Sequence, residues 1–374
     1  MINKKIWHVY YGSRGTAGSY IDCLQKIALK TNLDSSAFVS CRYRFKTKRV
    51  FKIFFPITDR TEKRNFFIKA LRYIELTMGY KILFWAAIIR RPIINLNLID
   101  DLRLTYLFFR LLKFFKIKVF ITCHDVLSHH QGLTKKRTDM FNRADKLIVH
   151  STYAHNTLLQ LLTGKQQEKI LRFPFPTSPL DEILSPQRMS IARDNIDNLI
   201  GKDTPYFLFI GVVRQSKGIA TLLEAWEISQ ARFTSKLVIA GKWNAPVSHL
   251  KKKAAEIPNC LVLDYYLGDE EYVYLIRGSK FTVLPYNEYS HSAIFFSCAW
   301  NKTAVILSDA QLFDELLPGY DLTFPAGRSE KLAGLLDKAA ALPEAQVEHH
   351  RQIIYDAAKR INNDLQKQLK LVYG

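Results

Sequence analysis

The chain has 374 residues, 48% hydrophobic and 13% aromatic; this is too much for one ordinary core, suits two domains, and excludes a disordered chain. Lys and Arg number 54 against 34 Asp and Glu, and the resulting +20 draws polyanions, whether anionic lipid, phosphorylated substrate or nucleic acid. The cysteines (Cys23, Cys41, Cys123, Cys260, Cys298) are scattered and never form C-x-x-C, which argues against a disulfide framework or zinc site and suits a reducing cytoplasm.

Met1 to Lys5 lacks the apolar run of a signal peptide, and the longest apolar run, Ile82 to Ile89, is too short to cross a bilayer. In chain order, a strand is predicted over Lys5 to Tyr11, then a glycine-bearing turn and a helix over Ser19 to Lys30. Strands follow at Ala37 to Cys41, Val50 to Ile57, Ile93 to Leu98, Lys118 to Cys123 and Lys146 to His150. Between them fit helices at Glu62 to Ile88, Leu102 to Phe115, Lys135 to Arg143 and Tyr153 to Leu162. Pro174, Pro176, Pro179 and Pro186 oppose regular structure and mark a linker, with a polar helix to Ile200. A second alternation then runs through strands at Tyr206 to Gly211, Lys236 to Ala240, Cys260 to Leu263, Phe281 to Pro285 and Ala304 to Leu307. Its helices are Ile219 to Ala231, Glu270 to Gly278, Ile294 to Trp300 and Ser329 to Ala341, before an amphipathic helix from His349 to Tyr373. Two such alternations imply two parallel α/β domains. The expected boundaries are 1–175, a linker over 176–203, 204–348, and a final helix over 349–374 that could return to the first domain.

The charge is uneven. From Arg42 to Tyr73, cations such as Arg44, Lys46, Lys48 and Arg49 alternate with Tyr43, Phe45, Phe51, Phe54, Phe66 and Phe67, and a second such stretch runs from Arg103 to Lys118. The pattern fits either a surface that sits on an anionic leaflet or a core face backed by solvated cations. No helix-turn-helix, RNA-recognition or zinc-finger signature accompanies it, so no nucleic-acid partner is expected.

Ligands of open parallel sheets bind at the carboxyl ends of strands. Strand Y-F-L-F-I ends in G-V-V-R-Q-S-K-G, which sets Gly211, Arg214 and Lys217 before a helix N-terminus and suits a diphosphate. A second strand-to-helix turn carries Glu288, Ser290, His291 and Ser292, where hydroxyls and N–H groups can take phosphate and Glu288 can take sugar hydroxyls. Each motif alone is also what a plain cationic loop or N-cap loop would show. In the first domain, G-S-R-G-T-A-G-S supplies Gly12, Gly15 and Gly18 after the first strand, without the dinucleotide spacing. His124 and Asp125 follow another strand end, and the histidines there lack metal spacing, so no metal is expected.

Taken together, the two motifs of the second half resemble bacterial glycosyltransferases of the GT-B fold, group 1 or family 4, including those of exopolysaccharide and O-antigen assembly. Gly211, Arg214 and Lys217-Gly218 match that family's first loop, Ala240-Gly241-Lys242 its next strand end, and Pro285, Tyr286 and Glu288 its acidic loop. I-T-C-H-D is similar to its T-x-H-D segment, and A-D-K-L-I-V-H-S to a following strand. The resemblance implies an α/β GT-B chain, two Rossmann-like domains facing each other across a cleft. It implies donor contacts from Gly15, Gly18, Gly211, Arg214, Lys217, Gly241, Lys242, Tyr266, Leu267, Glu288, Ser290, His291 and Ser292, and catalytic roles for His124, Asp125 and Glu288. One departure stands out: the family's second acid, which holds the ribose, is Phe296 here, and the following Gly-x-Pro is Asn301-Lys302-Thr303.

The implied reaction moves a sugar from a UDP- or GDP-linked donor to a glycan acceptor carried on a polyprenyl diphosphate, at the cytoplasmic face of the plasma membrane. The nucleotide sugar is a co-substrate, and no cofactor is expected. Arg214, Lys217 and helix-end N–H groups would stabilise the departing diphosphate in place of a metal. An inverting reaction would need Asp125 or His124 as base, a retaining one no dedicated base, and both stay open. The alternatives are a polyanion- or nucleic-acid-binding protein and a catalytically silent GT-B relative.

Overall fold

The computed structural model describes residues 5–11, 15–54, 66–98, 103–124, 126, 134–287 and 292–373. The chain divides into two compact units, 1–178 with 361–374, and 179–360.

The first unit runs β1 (Ile6–Tyr10), α1 (Gly15–Lys30), β2 (Ser35–Ser40), β3 (Val50–Phe54), α2 (Phe66–Arg90), β4 (Ile93–Leu98) and α3 (Arg103–Phe114). It continues with β5 (Val119–Cys123), α4 (Lys135–Arg143), β6 (Lys146–Val149), α5 (Thr152–Leu161) and β7 (Ile170–Arg172). The strands form one parallel sheet in the order β3-β2-β1-β4-β5-β6-β7. Its central strands are mainly apolar, as strands covered on both faces are, and β1 and β5 are buried at every position. The edge strand β3 is more exposed and carries Lys52, which discourages further pairing.

Helix α2 is fitted closely to that edge, since a Cβ on Gly79 would lie 2.7 Å from the Phe54 ring. Tyr80 stacks on Phe108 of α3 at 4.6 Å, and its hydroxyl lies 2.9 Å from that of Thr105. The first basic-aromatic stretch therefore splits: Tyr43, Phe45 and Phe54 are core, whereas Phe51, Phe66, Phe67 and Tyr73 are exposed.

Polar groups cross the sheet in matched pairs. The Asn95 amide donates to His8 Nδ1 at 3.1 Å, and Thr122 donates to Asn95 Oδ1 at 2.9 Å. His8 thus serves as a neutral acceptor, and burial brings its pKa down to about 3.

The second unit runs α6 (Pro186–Ile200), β8 (Tyr206–Ile210), α7 (Ile219–Ile228), β9 (Lys236–Ala240), α8 (Leu250–Glu256), β10 (Cys260–Leu263) and α9 (Asp269–Gly278). Then come β11 (Phe281–Leu284), α10 (Ala293–Trp300), β12 (Val305–Ser308), α11 (Gln311–Leu316), β13 (Thr323–Phe324), α12 (Ser329–Ala341) and α13 (Glu344–Tyr373). Its parallel sheet has the order β10-β9-β8-β11-β12-β13, so the winding reverses between β8 and β11. Pro186 opens α6 at its first turn, where proline's missing N–H costs nothing.

Helix α13 starts earlier than expected, and from Ile361 its residues belong to the first unit. There Leu365 and Leu369 are fully buried, Asn362 donates to Thr177 O at 2.9 Å, and the Tyr373 ring stacks on Phe120 at 5.6 Å. Among the described residues no helix is long and apolar enough to cross a membrane.

Candidate functional site

The reversal between β8 and β11 places two strand-to-helix loops side by side, the arrangement in which open α/β sheets hold ligands. The loops are tied directly: Asn287 N donates to Ser216 O at 3.0 Å. Two glycines permit the closeness. Gly218 has φ +67°, and a Cβ there would fall 1.8 Å from Pro285 O. Gly241 has φ +140°, and a Cβ there would fall 2.1 Å from Gly211 O. Any other residue would push the ends of β8, β9 and β11 apart.

Into this floor the loop after β8 sends two cations. Lys217 is buried, with Nζ 3.1 Å from where a Gly211 Cβ would lie and 5.5 Å from the Tyr286 ring centre. Burial, and then the neighbouring Arg214 charge, bring its pKa down to about 7. Arg214 Nε and Nη1 are shielded from solvent and have no hydrogen-bond partner among the described residues. A guanidinium in that condition is costly unless an anion completes it. Helix α7 begins at Ile219 and turns its first N–H groups to the same end of the sheet. The combination can bind a dianion and stabilise charge building up on it.

The remaining expected donor contacts divide. Lys242 is ion-paired at 3.5 Å with Asp264, an acid just past the end of β10 that sequence reading did not single out. Asp264 also accepts from Trp243 N at 3.1 Å and Lys251 Nζ at 2.9 Å. Burial pushes the Asp264 carboxyl up, but the Lys251 and Trp243 hydrogen bonds with the Lys242 charge hold it below the usual carboxylate range. Tyr266 is exposed and Leu267 half-buried in the loop beyond β10. The Ser292 hydroxyl accepts from Phe295 N at 3.2 Å and so caps α10. Glu288, Ser290 and His291 lie outside the described residues. Phe296 is fully buried in α10 and meets Phe295 edge-on, so an apolar ring occupies the position of the expected ribose acid.

In the first unit, α1 begins at Gly15 rather than Ser19. Gly15 and Gly18 therefore form its first turn, where N–H groups lack intrahelical partners, instead of a separate loop. The sheet's own reversal lies between β1 and β4, and the residues past those strand ends, 12–14 and 99–102, lie outside the described residues. His124 sits buried at the end of β5, stacked on Tyr10 at 5.4 Å and edge-on to Tyr20 at 4.7 Å. Asn97 Nδ2 donates to Val9 O at 3.3 Å, which turns Asn97 Oδ1 towards His124 Nε2, also at 3.3 Å. The imidazole is thus held in orientation by an aromatic cage and one amide. Asp125, its expected companion, lies outside the described residues.

Residues 191–360 match the family model for glycosyl transferases group 1. Among curated proteins none matches the sequence. Solved structures do resemble it. HepE of Anabaena, in complex with UDP-glucose, is 12% identical over 98% of this chain and 100% of its own, with a TM-score of 0.65. Sucrose-phosphate synthase of Thermosynechococcus elongatus is 13% identical over 99% and 98%, with a TM-score of 0.65. A glycosyltransferase of Rickettsia africae is 14% identical over 100% and 98%, also at 0.65. The fold is therefore GT-B, with two parallel-sheet Rossmann-like domains, and the unit that holds Gly211, Arg214 and Lys217 is the part that matches the glycosyl transferases group 1 model.

Proposed function

We propose that this chain is a nucleotide-sugar-dependent glycosyltransferase that moves a hexose from a UDP- or GDP-linked donor to a glycan acceptor carried on a polyprenyl diphosphate. The work belongs to cell-surface polysaccharide assembly in a bacterium, at the cytoplasmic face of the plasma membrane. The observation that carries the reading is Arg214: two shielded guanidinium nitrogens without a protein partner among the described residues, beside a buried lysine at the reversal of a parallel sheet. That is a diphosphate cradle by its chemistry. The group 1 family match over the same unit, and the UDP-glucose held by HepE, support it.

In this reading Arg214, Lys217 and the α7 N–H groups take up the negative charge on the leaving diphosphate, the part a divalent metal plays elsewhere. Gly15, Gly18, Gly241, Lys242, Tyr266, Leu267, Ser290, His291 and Ser292 complete the donor contacts. Glu288 orients the sugar. An inverting transfer would use His124 or Asp125 as base. With Phe296 in place of the second acid, the ribose is held by other groups.

The test is turnover with a panel of UDP- and GDP-linked sugars, with and without polyprenyl-diphosphate-linked glycans and in the presence of a chelator. Release of nucleoside diphosphate from one donor class, undiminished by chelator, is expected. A folded protein that turns over no donor yet binds RNA tightly would overturn the reading in favour of a silent polyanion binder.

A further inference from the structure

The outer surfaces of α2 and α3 are apolar although their inner surfaces already fill the core. Along α2, Phe67, Ile74, Met78, Ile82, Trp85 and Ile89 are all more than half exposed, Trp85 at 65% and Ile89 at 80%. At the helical repeat they fall within an arc of about 100° and make a ridge roughly 33 Å long. The opposite side supplies Leu76, Tyr80, Leu83 and Ala87 to the core. Helix α3 repeats the design, with Leu107, Leu111 and Phe114 outward and Phe108, Phe109 and Leu112 inward. Ring contacts join the two outer faces: Trp85 to Phe84 at 5.6 Å, Phe84 to Phe115 at 5.3 Å, and Phe115 to Phe114 at 5.2 Å. A water-facing helix would carry polar residues there, and a continuous apolar surface of this kind marks an interaction site.

Charge selects the occupant. Among the described side chains, the exposed cations of the two helices are Lys81 and Arg90 on α2 and Arg103 and Arg110 on α3. The one carboxylate among the residues of either helix, Glu75, is buried. Neighbouring acids are committed nearby: Asp139 to Arg143 at 2.7 Å and Arg110 at 3.6 Å, and Asp145 to Lys113 at 2.6 Å. A second copy docked on this face would set cations against cations, whereas an anionic bilayer meets both the apolar ridge and its charges.

We propose that the outer faces of α2 and α3 form a membrane-docking surface that lies in the headgroup layer of an anionic leaflet. The ridge residues enter the acyl boundary, with Trp85 at the interface where indole rings are favoured. This inference deepens the membrane-face part of the function proposed above and places it on α2 and α3, not on the Arg42 to Phe54 stretch whose aromatics are largely core.

The test is co-sedimentation of the full chain with phosphatidylcholine vesicles, with and without phosphatidylglycerol, at rising salt. Wild type should pellet with the anionic vesicles, less so as salt screens the charges. The exposed triple variant Ile74→Ser, Trp85→Ser, Ile89→Ser should bind roughly a hundredfold more weakly, with an unchanged thermal midpoint. Lys81→Gln with Arg90→Gln should reduce the salt dependence. Absence of pelleting, equal pelleting with pure phosphatidylcholine, triple-variant binding equal to wild type, or a lipid-free dimer that the triple variant dissolves would each overturn the surface. Donor turnover is measured on the same preparations without lipid. Turnover without vesicle binding rejects the surface alone, and vesicle binding without turnover rejects the transfer reading alone.

Discussion

At the scale of the residue, Lys217 carries a pH signature. Its pKa of about 7 lies below the ordinary 10.5, so above pH 7 the unliganded side chain is mostly neutral. A bound diphosphate favours the charged form, so donor binding there must take up a proton. Affinity for a nucleoside diphosphate sugar, whose phosphates do not titrate in this range, should be highest below pH 7 and decline above it. Lys217→Met should bind roughly a hundredfold more weakly and lose the slope, as calorimetry at several pH values would detect. A slope unchanged in that variant would remove Lys217 from the site. Stability has the opposite sense: the unfolded chain binds the extra proton between pH 7 and 10.5, so this group adds stability to the unliganded protein as pH rises through that window. The identity of these residues is legible in the sequence, because cations and glycines after an apolar run are a local pattern. Their reasons are not. That Gly218 faces Pro285 O, or that Asp264 takes Lys242, depends on contacts between strands distant in sequence.

At the scale of the element, the alternation of apolar runs and amphipathic stretches locates most strands and helices, because buried parallel strands are mainly apolar. The pieces missed are short or peripheral. Strands β7 and β13 lie at sheet edges, and α8 and α11 are short helices with few buried positions. Helix α2 was legible as a helix, but with apolar residues on both sides its periodicity cannot say which side meets the core. Helix α13 ends with Tyr373 against Phe120 and His8, both in the middle of the first unit's sheet. Tyr373→Ala should therefore destabilise that unit by about 3–5 kcal/mol, read as a lower urea midpoint. A change of less than about 1 kcal/mol would mean that the ring merely covers the sheet without being packed into it.

At the scale of the molecule, two α/β alternations imply two parallel domains, and the resemblance of their loops to group 1 glycosyltransferases implies the GT-B fold, which the likeness to HepE and sucrose-phosphate synthase bears out at 12–13% identity. Donor identity is not legible at this scale. Phe296 stands where the resemblance implies a ribose-holding acid, and acceptor choice depends on surfaces without a local motif. The reversal between β8 and β11 is proposed to hold a nucleoside diphosphate. Calorimetric titration of uridine and guanosine diphosphate into the wild-type chain and Arg214→Ala tests it most directly. Saturable binding of one of the two by wild type, and its loss in the variant, is expected. Binding of neither nucleotide, or equal binding by Arg214→Ala, would contradict it.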